Sequence, residues 1–176
     1  CEGPNCGAEV PLIRSLWLAK KQNRSVALLL VPCLKEKRVQ FKIVVKQRGV
    51  WVNQENPEEK IATPSLDGTI KRGSATCPCC GYTTPVTRVK EQLRARRGGA
   101  DDAQLMCAVT ARATEALRSY RLPTQSDFQA VLAARQELQS RIAAHQGSLP
   151  LVPDEPLPPP GTLGFRVQPY GMTEWG

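Results

Sequence analysis

The sequence predicts an α+β fold, and three observations lead to that prediction. Two cysteine pairs, at 1–6 and 77–80, have the close spacing of metal ligands. Apolar residues alternate with polar ones over 39–45, which is typical of a β-strand. Six prolines lie in residues 150–160, a composition that favours an extended chain. We therefore expect a zinc-ribbon β-sheet with two helices and an extended, proline-rich C-terminal segment.

The same features divide the chain of 176 residues into three parts. Residues 1–100 are expected to form a basic, zinc-ribbon-like β domain with inserted strands. Residues 101–148 are expected to add a strand and an amphipathic helix that packs on that domain. Residues 149–176 are expected to be a proline-rich linker followed by an aromatic docking tail.

The first part is predicted to consist mainly of strands, because runs of apolar and β-branched residues alternate with polar turns. The predicted strands are 10–18, 25–31, 39–45, 50–52 and 69–76, with a turn at 20–24 and an exposed loop at 53–68. The last of these strands carries Lys71 and Arg72 and leads into the second cysteine pair.

Four cysteines supply a candidate metal site. Cys1 and Cys6 form the first pair, and Cys77 and Cys80 have the usual offset in the second, although spacing alone does not choose between Cys79 and Cys80. Both pairs continue as Cys-Gly-x-x-x-Pro-aliphatic, and a glycine after the second thiolate permits the tight turn of a zinc knuckle. A site closed by four thiolates is structural rather than catalytic.

The cysteine count and the single histidine exclude or disfavour several other kinds of site. The chain has seven cysteines, an odd number that argues against a disulfide framework, and Cys33 and Cys107 lie in apolar stretches as expected for small buried residues. His145 is the only histidine, which excludes a three-histidine metal site and an HExxH protease. The odd cysteine count and the lack of a visible secretory signal favour reduced thiols, so we expect a cytoplasmic protein. No apolar run approaches the roughly 18 residues of a spanning helix, so we expect no membrane contact.

Charge is distributed unevenly along the chain. The net charge of the protein is +8. Residues 1–100 have a net charge of +10, and residues 101–176 have a net charge of −2. Such asymmetry is typical of contact with a polyanion, although a solvated basic surface has the same signature. The chain begins with cysteine rather than methionine, and we expect it to be a segment of a longer protein.

A short helix at 88–97, ended by two glycines, presents a basic stripe of Lys90, Arg94 and Arg97. This stripe is the leading candidate for phosphate contact, and a solvated helix face is the alternative. The candidate nucleic-acid-binding residues are Lys71, Arg72, Arg88, Lys90, Arg94, Arg96 and Arg97.

The second and third parts contain fewer signals. A strand is predicted at 105–109, and a helix is predicted to begin at Thr124 with Asp127 in an imperfect capping box. Its apolar stripe, expected to pack in a core, is Phe128, Val131, Leu132, Leu138 and Ile142. The docking tail contains Phe165, Tyr170 and Trp175.

Several long motifs resemble a known family. Residues 1–18 read Cys-x4-Cys-Gly-Ala-Glu-Val-Pro-Leu-Ile-Arg-Ser-Leu-Trp-Leu, and residues 68–86 read Gly-Thr-Ile-Lys-Arg-Gly-Ser-Ala-Thr-Cys-Pro-x-Cys-Gly-Tyr-Thr-Thr-Pro-Val. With the segments at 96–102, 120–124 and 161–176, they resemble large prokaryotic adenine-specific DNA methylases that begin with a small domain of unknown function.

The resemblance implies that this segment lies between the two halves of a Rossmann-type methyltransferase. The glycine motif that binds S-adenosylmethionine would precede it and the catalytic Asp-Pro-Pro-Tyr motif would follow, so the cofactor is expected only in the parent protein and no catalytic residue is assigned here. The resemblance also matches the zinc ligands to Cys1, Cys6, Cys77 and Cys80.

The expected function is therefore that of a zinc-stabilised, DNA-binding or target-recognition fragment of a DNA methyltransferase. Its expected partners are DNA and the rest of the parent enzyme. The alternative is a structural or protein-interaction insert that braces the parent. Catalysis by this segment alone is disfavoured, because the sequence offers no nucleophile–base pair and no open metal site.

Overall fold

The computed structural model describes residues 1–21, 24–96, 102–111, 118–159, 168–170 and 172. These residues have an α+β fold of antiparallel sheets and two α-helices. The chain divides into two compact units, one of Cys1–Val89 with Met106–Leu122 and the other of Lys90–Leu105 with Pro123–Gly176.

The first unit is built on a five-stranded antiparallel sheet with strands in sequence order. Its strands are β1 (Trp17–Lys21), β2 (Arg24–Cys33), β3 (Arg38–Gln47), β4 (Val50–Asn53) and β5 (Lys60–Ile61). A three-stranded sheet follows, formed by β6 (Ile70–Lys71), β7 (Ser74–Thr76) and β8 (Thr83–Thr84). The last pair is β9 (Ala108–Ala111) with β10 (Arg118–Arg121).

Two helices accompany the sheets. Helix α1 (Val86–Arg96) crosses the division between the units after Val89, and α2 (Gln125–Ala144) belongs to the second unit. A short 3-10 turn at Gln168–Tyr170 ends the described elements. No helix among the described residues has the combination of length and apolar character needed to cross a bilayer.

Both faces of the five-stranded sheet carry buried residues. Successive residues of β2 and β3 point to opposite faces, and paired residues of the two strands point to the same face. Ala27 opposite Val44 is fully buried on one face, and Leu28 opposite Ile43 is almost fully buried on the other. The first face packs on the Trp17 and Trp51 rings. The second face packs on partly buried residues of the β9–β10 region, Met106, Cys107, Tyr120 and Leu122.

Three predicted strands are confirmed. The ranges 25–31, 39–45 and 50–52 lie within β2, β3 and β4. The alternation that predicted the second of these is visible in the buried Val39 and Ile43 of β3.

The flanking strands differ from prediction. The strand expected at 10–18 begins only at Trp17, because residues 13–16 form hydrogen bonds with residues 66–70 instead. The strand expected at 69–76 is a hairpin, since Arg72 and Gly73 turn the chain with φ of 51° and 86°. Within the predicted loop 53–68, β5 adds the fifth strand.

The C-terminal part also departs from expectation. The strand expected at 105–109 begins at Ala108, and its partner β10 was not predicted. Helix α2 begins where expected, after Thr124, whose N–H donates to the Asp127 carboxylate at 2.7 Å. The apolar stripe of α2, which was expected to pack in a core, is exposed at all five side chains, by 39% at Ile142 to 55% at Leu132.

The aromatic docking tail lies mostly outside the described residues. Phe165 and Trp175 are not among them, and only the backbone of Tyr170 is described. The proline-rich segment is described to residue 159, and within it the Pro158 carbonyl accepts a hydrogen bond from Gln168 Nε2 at 2.8 Å.

Candidate metal centre

The first cysteine pair lies in a tight turn. The Cys6 N–H donates to the Gly3 carbonyl at 3.1 Å, and the Gly3 N–H donates to Cys1 Sγ at 3.2 Å. Asn5 and Gly7 adopt positive φ of 58° and 60°, a conformation that asparagine and glycine tolerate best. The sequence Gly-Pro-Asn-Cys-Gly therefore curls the chain so that two thiols point the same way.

The second pair closes the hairpin between β7 and β8. The Cys77 N–H donates to the Tyr82 carbonyl at 2.9 Å, and the Gly81 N–H donates back to the Cys77 carbonyl at 2.9 Å. Gly81 has a φ of 76°, as predicted for a glycine that follows the second cysteine of a knuckle. The hairpin register, with Thr76 opposite Thr83, fixes where these thiols emerge.

Backbone pairing between residues 11–15 and 67–70 brings the two turns together. The Ile70 N–H donates to the Ile13 carbonyl at 3.1 Å, and Ser15 is bridged to Asp67. Thr69, which is buried, accepts from the Ile13 N–H at 3.1 Å through its hydroxyl and also contacts the Pro11 carbonyl. These hydrogen bonds join the segment that follows the first cysteine pair to the segment that precedes the second.

The four sulfurs converge on one point. The Sγ atoms of Cys1, Cys6, Cys77 and Cys80 all lie within 4.8 Å of one another. Cys1 Sγ is 3.5 Å from Cys80 Sγ, and Cys6 Sγ is 3.8 Å from Cys77 Sγ. All four are free thiols, so these contacts are not disulfides. The cluster can hold a metal ion.

The electrostatics of the cluster favour a cation. Burial acts to raise the pKa of Cys77, but backbone N–H groups of Cys80 and Cys79 and the thiols of Cys80 and Cys6 bring it below the ordinary value. The Tyr82 N–H acts to lower the pKa of Cys80, yet burial and the nearby Cys6 and Cys77 raise it. One thiolate thus disfavours the next, and a divalent ion removes that penalty by supplying positive charge.

The other three cysteines lie elsewhere. Cys79, half-buried beside the cluster, directs its thiol at the Arg38 carbonyl, 3.8 Å away, and burial raises its pKa. Geometry therefore separates Cys79 from Cys80, which spacing could not do. Cys33 and Cys107 are half-buried, and burial raises the pKa of Cys107 in the sheet core.

Gly3 is a site residue that the sequence patterns did not single out. A Cβ on Gly3 would lie 2.8 Å from Cys80 Sγ and 2.9 Å from Tyr82 Cβ, so the two turns can meet only if residue 3 lacks a side chain. Its signal in the sequence is a glycine inside the first cysteine pair, whereas the repeated motif contains only the glycines that follow each pair.

The candidate nucleic-acid-binding residues are not equivalent in the structure. Lys71 and Arg72 are exposed at the β6–β7 turn, and Lys90 and Arg94 lie one helical turn apart on α1. Arg97 is outside the described residues.

Arg88 and Arg96 form ion pairs with carboxylates of the described part of the chain. Arg88 Nη2 lies 2.8 Å from the Glu2 carboxylate, which joins α1 to the first cysteine turn. Arg96 is paired with Asp102. Both guanidinium groups therefore already hold a carboxylate.

Comparison of the chain with protein-family models, with curated proteins and with solved structures finds no match. The resemblance to adenine-specific DNA methylases stays a prediction.

Proposed function

We propose that the chain is a zinc-stabilised, DNA-binding module of an adenine-specific DNA methyltransferase. The observation that carries the proposal is the convergence of the sulfurs of Cys1, Cys6, Cys77 and Cys80 within 4.8 Å. Within the module the metal is structural, and catalysis belongs to parts of a parent enzyme that carry the cofactor and the reacting groups.

Zinc is the ion that suits this donor set best. Four thiolates around Zn²⁺ at about 2.3 Å each form a tetrahedron whose edges are about 3.8 Å. The two sulfur pairs at 3.5 and 3.8 Å have nearly that spacing before any ion is placed. A site with four protein sulfurs leaves no position for water or substrate, so the ion would stabilise the fold as in a zinc ribbon.

The DNA-binding role is supported by charge. The net charge of +10 on the first 100 residues gives the chain an electrostatic attraction for phosphates. An enzyme that flips a base out of a duplex needs surfaces beyond its active site to grip the backbone. The resemblance of the long motifs at 1–18 and 68–86 to the methylase family supports the assignment of the parent, with S-adenosylmethionine bound outside this segment.

Metal content tests the structural part. The purified chain should contain one equivalent of zinc by elemental analysis, and Cys77→Ser should lose it. Cys79→Ser is the matched control, because the thiol of Cys79 points at the Arg38 carbonyl, and this variant should keep its zinc. A chain that folds fully without metal, or equal losses in both variants, would contradict the zinc proposal.

Duplex binding tests the DNA-binding part. The affinity of the intact chain for a labelled duplex should fall with salt, with a log–log slope of about −0.9 for each phosphate contacted. Binding that is absent, or that ignores salt, would contradict this part and leave the zinc site untouched.

A second function is favoured by one observation, the exposed apolar face of α2. Five large apolar side chains on one helix are 39–55% exposed, which is typical of a surface that contacts another protein. In this alternative the module braces its parent enzyme. The unmodified chain would then bind no labelled duplex at any salt concentration.

A further inference from the structure

Four cations gather at one end of the five-stranded sheet, and none of them belongs to the predicted site. In the strand register Lys20 of β1 lies opposite Ser25 of β2, and Ser25 lies opposite Lys46 of β3. These residues therefore form one row across the three strands. Arg24 is the neighbour of Ser25 in β2, so its side chain lies on the opposite face of the same sheet end, over the Tyr120 ring. Arg48 lies two residues beyond Lys46 in the turn to β4. We call Lys20, Arg24, Lys46 and Arg48 the sheet-end cluster.

The strands that carry the sheet-end cluster contain no opposing charge. No Asp or Glu occurs in residues 17–33 or 38–53. None of the ion pairs between described residues involves a member of the cluster. Lys42, farther along β3, is by contrast paired with Glu59 at 2.7 Å. The positive potential at this end of the sheet is therefore left for a ligand.

The neighbouring aromatic rings hold the cations in place and take part in packing. Lys20 Nζ lies 5.2 Å from the centre of the Trp17 ring, and Arg24 Cζ lies 5.7 Å from that of Tyr120. Trp17 packs against Trp51 with ring centres 5.7 Å apart, and Trp51 is only 7% exposed. Single-stranded DNA is bound largely by stacking bases on exposed rings. Rings engaged in this way favour a ligand recognised by its phosphates.

The backbone conformation of Arg48 also indicates that its positive charge has a function in the turn between β3 and β4. Arg48 has a φ of 49°, in the left-handed region where asparagine or glycine is more easily accommodated. Arg72 occupies the same position of the β6–β7 turn with a φ of 51°, also followed by glycine. At the Arg48 tip the chain thus carries a guanidinium beside the other cations of the cluster, and the equivalent turn at Arg72 provides a matched comparison.

We propose that the sheet-end cluster binds the phosphate backbone of duplex DNA, an inference that rests on the DNA-binding role proposed above and locates it. Strands lie about 4.8 Å apart, so Lys20 and Lys46 are roughly 10 Å apart on one face and can engage separate phosphates. Arg48 projects from the adjoining turn, where it is exposed. Recognition of this kind is independent of the DNA sequence, because the phosphates are the same at every nucleotide.

Two triple variants of the intact chain, with equal loss of charge, test the location. The first is Lys20→Gln, Lys46→Gln, Arg48→Asn, and the second is Lys71→Gln, Arg72→Asn, Arg94→Gln. Both replace a turn arginine by asparagine, which suits the positive φ, so the hairpins are retained. Affinity for a labelled duplex is measured by fluorescence anisotropy over a salt series, with a single strand of the same length as competitor.

The first variant should lose roughly eightfold in affinity for each contact removed at 0.1 M salt, with a salt slope smaller by about 0.9 per contact. The second variant should bind almost as the unmodified chain does. Equal loss in both variants, or preference for the single strand, would overturn the inference.

The remaining outcomes separate this inference from the proposed function. Binding by the unmodified chain that only the second variant loses would overturn the sheet-end assignment and keep the DNA-binding role. No duplex binding by the unmodified chain would overturn both. If the triple variant does not fold, the single variant Arg48→Asn is measured in the same way. Loss of its one phosphate contact should make the salt slope smaller by about 0.9.

Discussion

Gly3 faces Cys80 across the candidate metal centre, and a Cβ on Gly3 would lie only 2.8 Å from Cys80 Sγ. The same atom would lie 3.3 Å from Cys1 Sγ. Two of the four sulfurs thus approach as closely as they do because residue 3 has no side chain. The geometry of the metal centre is set partly by a residue that cannot itself be a ligand.

Replacing Gly3 by alanine should weaken metal binding. The added methyl group must push Cys80 or the first turn outward, and groups that orient metal ligands typically contribute about 10- to 100-fold in affinity. Zinc affinity is measured by competition with a chromophoric chelator. The control is Gly7→Asn, because asparagine tolerates the φ of 60° at Gly7 and a Cβ there would meet no atom within 4 Å. Unchanged affinity in Gly3→Ala would show that the turns do not meet this closely.

Removing the metal should unfold the cysteine turns and leave the five-stranded sheet folded. The turns are held by few buried side chains apart from Cys77, whereas the sheet buries Val26, Leu28 and Ile43 at 1–2% exposure. Stability that comes from a metal is lost with it, while a core of this kind persists.

Hydrogen exchange with and without chelator measures this difference. The amides of Cys77 and Gly81, which are hydrogen-bonded across the second turn, should lose protection on chelation. The amides of Ala27 and Val44 in the sheet should keep theirs. Loss of protection at all four positions would mean that the ion stabilises the whole unit.

The carboxylate of Glu59 should contribute to stability only above acidic pH. Its pKa is lowered from the ordinary 4.5, mainly because it accepts hydrogen bonds from Lys42 and Asn53, each at 2.7 Å. A lowered folded-state pKa means that the contribution is complete above the unfolded-state value and disappears as the pH falls through the folded one.

Comparison of the unmodified chain with Glu59→Gln over a pH series tests this sign. The melting temperature of the unmodified chain should exceed that of the variant near neutral pH, and the two curves should converge as the pH falls below 4.5. Acid release of zinc affects both proteins alike, so the difference between the curves isolates Glu59. Parallel curves down to low pH would contradict the assignment.

The candidate metal centre was largely predictable because its chemistry is local. Each cysteine pair, with its following glycine, specifies a turn from a handful of adjacent residues. The choice between Cys79 and Cys80 was not predictable, since it depends on the Arg38 carbonyl of a distant strand. The role of Gly3 was not predictable for the same reason, because its neighbour Cys80 is remote in sequence.

The strands show the same division between local and distant information. Alternation predicted β3, and a continuous apolar run predicted β2, where Val26, Ala27 and Leu28 are all buried because both faces of the sheet are covered. The hairpin of β6 and β7 was missed because Arg72-Gly73 lacks the Asn-Gly signature of such turns, although its backbone adopts their positive φ values. Residues 10–16 look like a strand, but Ile13, Arg14 and Leu16 form backbone hydrogen bonds with residues 66–70, and no local pattern reveals these distant partners.

Periodicity also predicted the apolar face of α2 and led to the expectation that this face packs in a core, whereas its side chains are exposed. Leu28 in β2 is 1% exposed, whereas Leu132 in α2 is 55% exposed. Leu28→Ala should therefore lower the free energy of unfolding by about 2–5 kcal/mol, since it leaves a cavity in the sheet core. Leu132→Ala should change it by no more than about 0.5 kcal/mol, as is usual for a surface position.

Denaturant unfolding with excess zinc measures both changes, and the slope of the transition checks that each variant unfolds in the same way. The two substitutions remove the same atoms, and strand and helix propensities account for no more than about 1 kcal/mol, so a larger difference between them reports burial. A loss of about 2 kcal/mol or more in Leu132→Ala would mean that the apolar stripe of α2 packs in a core, as its periodicity first suggested. A small effect with the expected loss in Leu28→Ala would leave that stripe as a surface available to another protein.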